Sequence, residues 1–240
     1  MRICRLQRDA QTLYAQKSHV VSIDEKTGIQ ALERDGKTLP MQTDKVERRE
    51  YNYIRHGTQV LTANLHLGTG QTISPTIADT RGEQDFVEHI GNLITTDSNA
   101  SWILVCDQLN THKSAGLVRH VAQAINDTQD LGQKGKTGIL KNMTSRTAYL
   151  EDTAHRIHFV YTPKHCSWLN SIEVWFSILT THILKRGNFI SLKDLKDKIQ
   201  KYIDYYNTQL AKAWNWSVVK NKDIQMLINK VKQAEGVLPY

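Results

Sequence analysis

The run Trp102-Ile103-Leu104-Val105-Cys106 is apolar at every position and stops at Asp107. A strand with one wet face alternates apolar and polar residues. A strand apolar throughout belongs inside a sheet covered on both sides. His19–Ile23 reads as a second buried strand, and it stops at Asp24. Ligands of open α/β sheets gather outside such strand ends, so the two aspartates mark where a site would form.

The rest of the chain fits a mixed α/β layer fold. Residues 1–17 are polar and mildly basic and read as a helical lead-in. Gly28 reads as a turn, with Ile29–Glu33 returning as a second strand; residues 34–50, which include Pro40, read as a loop. Gln59–Leu67 and Thr72–Ile77 flank Gly68-Thr69-Gly70, which completes an antiparallel meander. Helical spacing follows over Gly82–Thr95, and again at Leu117, Val118, Val121, Ala124 and Ile125. Residues 126–150 are polar and rich in Gly and Lys, and read as an excursion from the core. Ile157–Tyr161 is a further strand, closed by Pro163. Ser167 suits the N-cap of a helix running to about Lys185, with another helix over Leu192–Tyr206. In the tail, Asp223–Val231 has helical character. The expected organisation is a lead-in at 1–17, a catalytic domain over 18–216 and a helical tail over 217–240.

The chain has 240 residues and a net charge of +7. That excess favours a polyanionic partner, although charge alone is weak evidence. Cys4, Cys106 and Cys166 are scattered and form no CxxC pair, which fits a reducing compartment without a disulfide framework. No apolar stretch approaches a membrane span, and the N-terminus lacks the apolar core of a secretory signal. The expectation is a cytoplasmic protein with no membrane partner. Gly135-Lys136-Thr137 is not a phosphate-binding loop, because Asp130 stands where that pattern needs glycine.

A third carboxylate comes from the segment Tyr161-Thr162-Pro163-Lys164-His165-Cys166-Ser167-Trp168-Leu169-Asn170-Ser171-Ile172-Glu173. On a helix starting near Trp168, Glu173 falls at the edge of the apolar stripe, beside the core. An ionised carboxylate there is costly unless it is paired or metal-bound. Mg²⁺ takes hard oxygen ligands and needs one or two carboxylates. Two such ions about 4 Å apart activate a nucleophile and stabilise a leaving oxygen in phosphodiester chemistry. Taken singly, Asp24 and Asp107 read as ordinary strand-end turn residues, and Glu173 as the partner of a lysine. Together with their flanks, Asp24, Asp107 and Glu173 read as catalytic and metal-ligating.

Those flanks are Ser22-Ile23-Asp24-Glu25-Lys26-Thr27-Gly28, Asp107-Gln108-Leu109-Asn110-Thr111-His112-Lys113 and the third segment extended through Val174-Trp175-Phe176. Over roughly residues 18–216 the chain resembles the catalytic domain of bacterial DDE transposases related to Tc/mariner, in particular the insertion-sequence six-thirty family. The resemblance implies a ribonuclease H-like fold: a mixed sheet, antiparallel meander plus parallel strands, flanked by helices. It also implies two Mg²⁺ (or Mn²⁺) ions and cut-and-paste transposition. The partner would be double-stranded DNA, as transposon ends and as target, typically TA. A homodimer is the expected active assembly, nucleoid-associated when acting.

The chain departs from the family pattern in three places. Asp107 and Glu173 stand 66 positions apart, much farther than in mariner-type proteins, and the stretch 126–150 supplies the excess. Only about 17 residues precede the first strand, too few for a helix-turn-helix module. Ala213-Trp214-Asn215-Trp216 replaces the usual Pro-Phe-x-Trp ending. A truncated, non-catalytic or inhibitory transposase fragment is therefore one alternative, and another nuclease or integrase of the same fold is a second.

Other residues carry two readings each. Asn110 and His112 orient a metal-bound water, a scissile phosphate or a ligand carboxylate, or else cap a structural loop. His165 and Asn170 join them as supporting residues, while Trp168 reads as packing. Lys26, Lys113, Lys164, Lys134, Lys136, Lys141 and Arg146 are expected to meet DNA phosphates. Lys185-Arg186 reads mainly as a complement to a helix dipole.

Overall fold

The structure is a computed structural model, and it describes residues 2–35, 41, 43–44 and 52–213. Most of the loop expected at 34–50, the end of the 18–216 domain and the tail after Ala213 lie outside the described residues.

Five strands form one sheet in the order β3-β2-β1-β4-β5. They are β1 (Ser18–Arg34), β2 (Tyr53–His66), β3 (Thr76–Ala78), β4 (Ser101–Cys106) and β5 (Ile157–Tyr161). The first three pair antiparallel as a meander. β4 joins β1 in parallel, and β5 joins β4 in parallel. The sheet is therefore mixed, as the sequence leads one to expect.

Two apolar layers cover the sheet, and alternation along the strands divides them. Val20, Ile103, Val105 and Val160 face one layer, with Leu61, Ala63 and Leu65 from β2. That layer is roofed by α1 (Arg2–Ala15), α5 (Ile172–Leu179) and α6 (Leu192–Tyr205). Val21, Ile23, Trp102, Leu104, Cys106, Ile157 and Phe159 face the other layer. It is roofed by α2 (Glu83–Thr95), α3 (Ala115–Ala124) and α4 (Met143–Leu150). Adjacent residues serve opposite cores, which is why β4 and β5 are apolar at successive positions.

The lead-in is built into the first layer. Ile3, Gln7 and Ala10 are buried along one face of α1. The stretch 126–150 also returns to the core at its end: Leu140, Tyr149 and Leu150 are buried in the second layer. Its outer turn, residues 132–138, is exposed or half-exposed.

One expected turn is absent. β1 runs through Gly28 as one strand of 17 residues, and its register against β2 slips between Lys26 and Ile29. Gly28, at φ +70°, makes this a β-bulge. The slip inverts the facing of the strand. Before it, even-numbered Val20 faces the α1/α5/α6 layer; after it, odd-numbered Ile29 and Ala31 do. Turn chemistry and bulge chemistry both call for a glycine, and pairing with β2 decides between them.

A Cβ on Gly28 would meet nothing within 4 Å. Gly28→Ala should therefore carry only the backbone penalty of the left-handed region, about 1–2 kcal/mol, and Gly28→Asn should cost less. Urea unfolding of the two variants checks this; an Ala variant as stable as the parent would contradict the bulge geometry.

Candidate active site

The site forms where β1 and β4 part. Their last paired residues are Ser22 and Val105. Asp24 and Asp107 each lie two residues further on, so both continue toward the α1/α5/α6 face of the sheet. β1 itself does not end at Asp24, which pairs with Ala63 of β2. The strand end that matters is that of the β1–β4 ladder.

The third carboxylate is brought in by the turn before α5. Asn170 is fully buried and donates from Nδ2 to the Ile23 carbonyl at 2.8 Å and to Asp24 Oδ2 at 3.1 Å. Its Oδ1 accepts from the Ser22 hydroxyl. The same Ser22 oxygen accepts from the Ile172 amide at 2.9 Å and so caps the first turn of α5. From α1, the Gln7 side chain donates to the Leu169 carbonyl and to Ser171 Oγ, each at 2.9 Å. This network starts α5 at Ile172 rather than near Trp168. The helical phase shifts with it: Ile172, Trp175, Phe176 and Leu179 are buried, while Glu173 is exposed in the first turn. Trp168, expected to pack, is 38% exposed on the 3₁₀ turn Ser167–Leu169.

Burial is the main force on the Asp24 carboxyl, raising it from 3.8 to about 6, and the nearby charges of Asp107, Glu173 and Glu25 raise it further. The Glu25 amide, donating to Oδ1 at 2.8 Å, only partly offsets them. Burial would raise Asp107 as well. Its contacts with His112 and with the Leu109 amide (2.9 Å) outweigh burial and hold it below the usual range. Glu173 gains from the helix N-terminus it sits on.

His112, on the 3₁₀ turn Asn110–Lys113, is fully buried. Its Nε2 lies 3.0 Å from Glu25 Oε1 and its Nδ1 lies 2.7 Å from Asp107 Oδ1. Burial pulls its pKa down, but contacts with Asp107, Cys106 and Glu25 prevail and push it up to about 12. Asn110 is exposed beside it. His165 is exposed at φ +60°, next to exposed Lys164.

The expected DNA contacts divide by position. Lys134 and Lys136 are exposed on the outer turn and Lys141 is exposed just beyond it, with Lys134 3.7 Å from Glu83. Lys26 lies 5.9 Å from the Phe176 ring centroid. Lys113 is buried, 4.4 Å from the Tyr161 ring and 3.2 Å from Gln108 Oε1, and burial lowers its pKa. Arg146 is spent on backbone, donating to the Lys113 carbonyl at 2.8 Å and the Leu140 carbonyl at 3.2 Å. Arg186 lines a cavity of about 480 Å³ with Lys201, Tyr202 and Tyr205.

Among the described residues, no three His, Cys, Asp or Glu side chains close into a ready coordination shell. The donor chemistry nevertheless fits a hard divalent cation. Asp24 is half-buried, its oxygens are fixed by Asn170 and the Glu25 amide, and the charges acting on it most are all negative. A cation is what such a cluster lacks.

A family model for the DDE superfamily endonucleases matches residues 19–196. The chain belongs to the DDE superfamily of endonucleases. No curated protein matches it. Among solved structures, the endonuclease is similar to the Mos1 strand transfer complex, with TM-score 0.53 and 13% identity over 100% of this chain and 63% of that one. It is also similar to the Mos1 mariner paired end complex with Mn, with TM-score 0.51 and 12% identity over 98% of this chain and 62% of that one. The DDE endonuclease thus spans under two thirds of the length of these relatives. The likeness is one of fold, and the fold is ribonuclease H-like.

Sequence reasoning singles out Asn170 but passes over Glu25, Ser22 and Gln7. Glu25 carried a signal: Val21 and Ile23 face the α2/α3 core, and a glutamate two positions on continues that face and demands a partner.

A carboxyl raised on folding stabilises the protein below its unfolded pKa, and that stability is lost as pH rises toward the folded value. Without divalent metal, the endonuclease should lose about 3 kcal/mol between roughly pH 4 and 6 through Asp24. Asp24→Asn should flatten this window and raise stability at pH 7 by about 2 kcal/mol, since one Asn170 hydrogen bond is lost. Chemical unfolding in EDTA across that range measures both.

Proposed function

We propose that this DDE endonuclease is the catalytic domain of a Tc/mariner-related transposase, of the insertion-sequence six-thirty kind. Asp24, Asp107 and Glu173 would hold two Mg²⁺ or Mn²⁺ ions. The observation that carries the reading is the convergence at the end of the β1–β4 ladder. Two aspartates leave adjacent strands on one face, and Asn170 ties the turn that delivers Glu173 to the same strand. The similar structures support metal and DNA: one is a Mos1 mariner paired end complex with Mn, another a Mos1 strand transfer complex.

When bound, the ions would supply an activated water and stabilise the leaving oxygen. The chain's own residues do the rest. Asn170 and the Glu25 amide fix the Asp24 carboxylate, the Leu109 amide and His112 fix Asp107, and the first turn of α5 presents Glu173. Hydrolysis at transposon ends would free 3′-hydroxyls that attack target phosphates, in cut-and-paste transposition into TA sites by a homodimer acting at the nucleoid. Exposed Lys134, Lys136, Lys141 and Lys164, with half-exposed Lys26, would meet DNA phosphates. Asn110 and His165, both exposed, would support the substrate. Among the described residues no helix is long and apolar enough to cross a membrane.

Nicking of supercoiled plasmid DNA with Mg²⁺ or Mn²⁺ tests the carboxylates. Asp24→Asn, Asp107→Asn and Glu173→Gln should each lower the rate on the order of a thousand-fold, the loss of several kcal/mol of transition-state stabilisation, with circular dichroism unchanged. A folded variant that nicks at the parent's rate would remove its residue from the site.

Neutralising Lys134, Lys136 and Lys141 together should reduce the slope of log affinity against log salt by up to about 0.9 per lost phosphate contact. Arg146→Gln should instead lower stability, since its guanidinium holds two carbonyls, and leave the slope in place. Fluorescence anisotropy over a salt series, with thermal unfolding alongside, separates the two.

A further inference from the structure

Glu25 follows Asp24 in the chain, yet it serves the other side of the sheet. Its side chain is only 6% exposed, and His112 Nε2 is 3.0 Å away. The His112 ring is fully enclosed, packed on Phe86 with centroids 4.1 Å apart. Its backbone is held as well: the Tyr161 hydroxyl donates to the His112 carbonyl at 2.7 Å. The ring's second nitrogen, Nδ1, lies 2.7 Å from Asp107 Oδ1, the same oxygen that accepts from the Leu109 amide. Asp107 Oδ2 has no hydrogen-bond partner among the described residues.

We infer that Glu25, acting through His112, is a positioning residue that holds Asp107 by Oδ1 and leaves Oδ2 as the atom for a divalent cation. The inference rests on the reading of Asp107 as a ligand. Nε2 is in hydrogen-bonding geometry with Glu25 Oε1, while Nδ1 meets Asp107 Oδ1 as a close contact outside hydrogen-bond alignment. The pair therefore wedges an enclosed, immobile ring against one Asp107 oxygen and limits the torsion of that carboxylate. Without that tether, Asp107 is repelled by Asp24 and is free to turn toward solvent, where its 38% exposed side chain already reaches. A purely structural ion pair would have no need to set its second nitrogen against Asp107. Reach is what the role demands: a glutamate spans the gap to His112, and an aspartate at position 25 does not.

Outer-shell partners of this kind typically tune metal affinity by about 10–100-fold. Calorimetric titration of the full chain with Mn²⁺ alone, with no DNA present, reads the effect directly. Glu25→Ala should weaken Mn²⁺ binding within that range, and Glu25→Asp, which keeps the charge but loses the reach, should do so by about ten-fold. Glu25→Gln, which keeps the length and an acceptor oxygen, should stay within about three-fold of the parent, a small part of that range. In Mn²⁺-dependent plasmid nicking, kcat should follow the same order while KM for DNA stays constant. Two results would overturn the inference: Glu25→Asp binding Mn²⁺ like the parent, or Glu25→Gln falling as far as Glu25→Ala. Should the Ala variant not fold, the Asp and Gln pair decides alone. Asp107→Asn is the control. If it leaves Mn²⁺ binding intact, the reading of the site fails; if it abolishes binding while Glu25→Asp does not weaken it, only the role of Glu25 fails.

Discussion

Everything at the site depends on the Asn170 side chain lodged against β1. One buried amide takes up the Ser22 hydroxyl, the Ile23 carbonyl and one Asp24 oxygen. Through it, a turn 146 residues away in sequence is fastened to the strand carrying the first aspartate. Long-range closure of this kind is entropically expensive and needs dense compensation. The compensation is local: Ser22 caps α5, and Gln7 braces the turn from behind through two further bonds. Loss of any member leaves a buried polar group without its partner, at a cost of about 1–3 kcal/mol.

The two sides of the sheet divide the work. On the α1/α5/α6 side, neutral groups align Asp24 and Glu173. On the α2/α3 side, an ionic pair reaches through the gap past β4 and grips Asp107. The two aspartates consequently differ in character although they stand at equivalent register positions. One is pushed up to about 6 by burial and by its neighbours. The other is kept low by His112 and a backbone amide. Paired carboxylates with such divergent environments are characteristic of sites that do chemistry.

Much of the fold is legible in the residues, and the limits of that legibility have physical causes. Trp102–Cys106 and Ile157–Tyr161 stand out because strands buried on both faces need no polar positions. Gly28 misleads because turns and bulges make the same demand on φ, and only pairing with Tyr53–His66 distinguishes them. Ser167 looks like a helix cap because its side chain suits one; the helix waits until Ile172 because Asn170 is claimed by a strand far away in sequence. That delay turns Glu173 outward, which local periodicity has no means of foretelling. Arg146 reads as a DNA contact from its glycine- and lysine-rich surroundings, and two buried-side carbonyls claim it instead. Lys113 likewise looks like a phosphate ligand from its place beside Asp107, and is enclosed against Tyr161. The three carboxylates stand out in the sequence because their flanks are distinctive; the contact between Glu25 and His112 is hidden because Glu25 stands in the shadow of its neighbour.

The bulge at Gly28 has a bearing on how this molecule tolerates change. Side-chain facing inverts there, and a second slip follows between Gln30 and Leu32, so the inner and outer parts of the strand are aligned independently. An extra or missing residue in the outer part of the β1–β2 hairpin meets a place where register is already broken, and its displacement need not travel inward to Asp24. The hairpin's far end is thereby mechanically insulated from the chemistry, and lineages of this fold are free to lengthen, shorten or recharge it while the geometry of the carboxylates stays fixed.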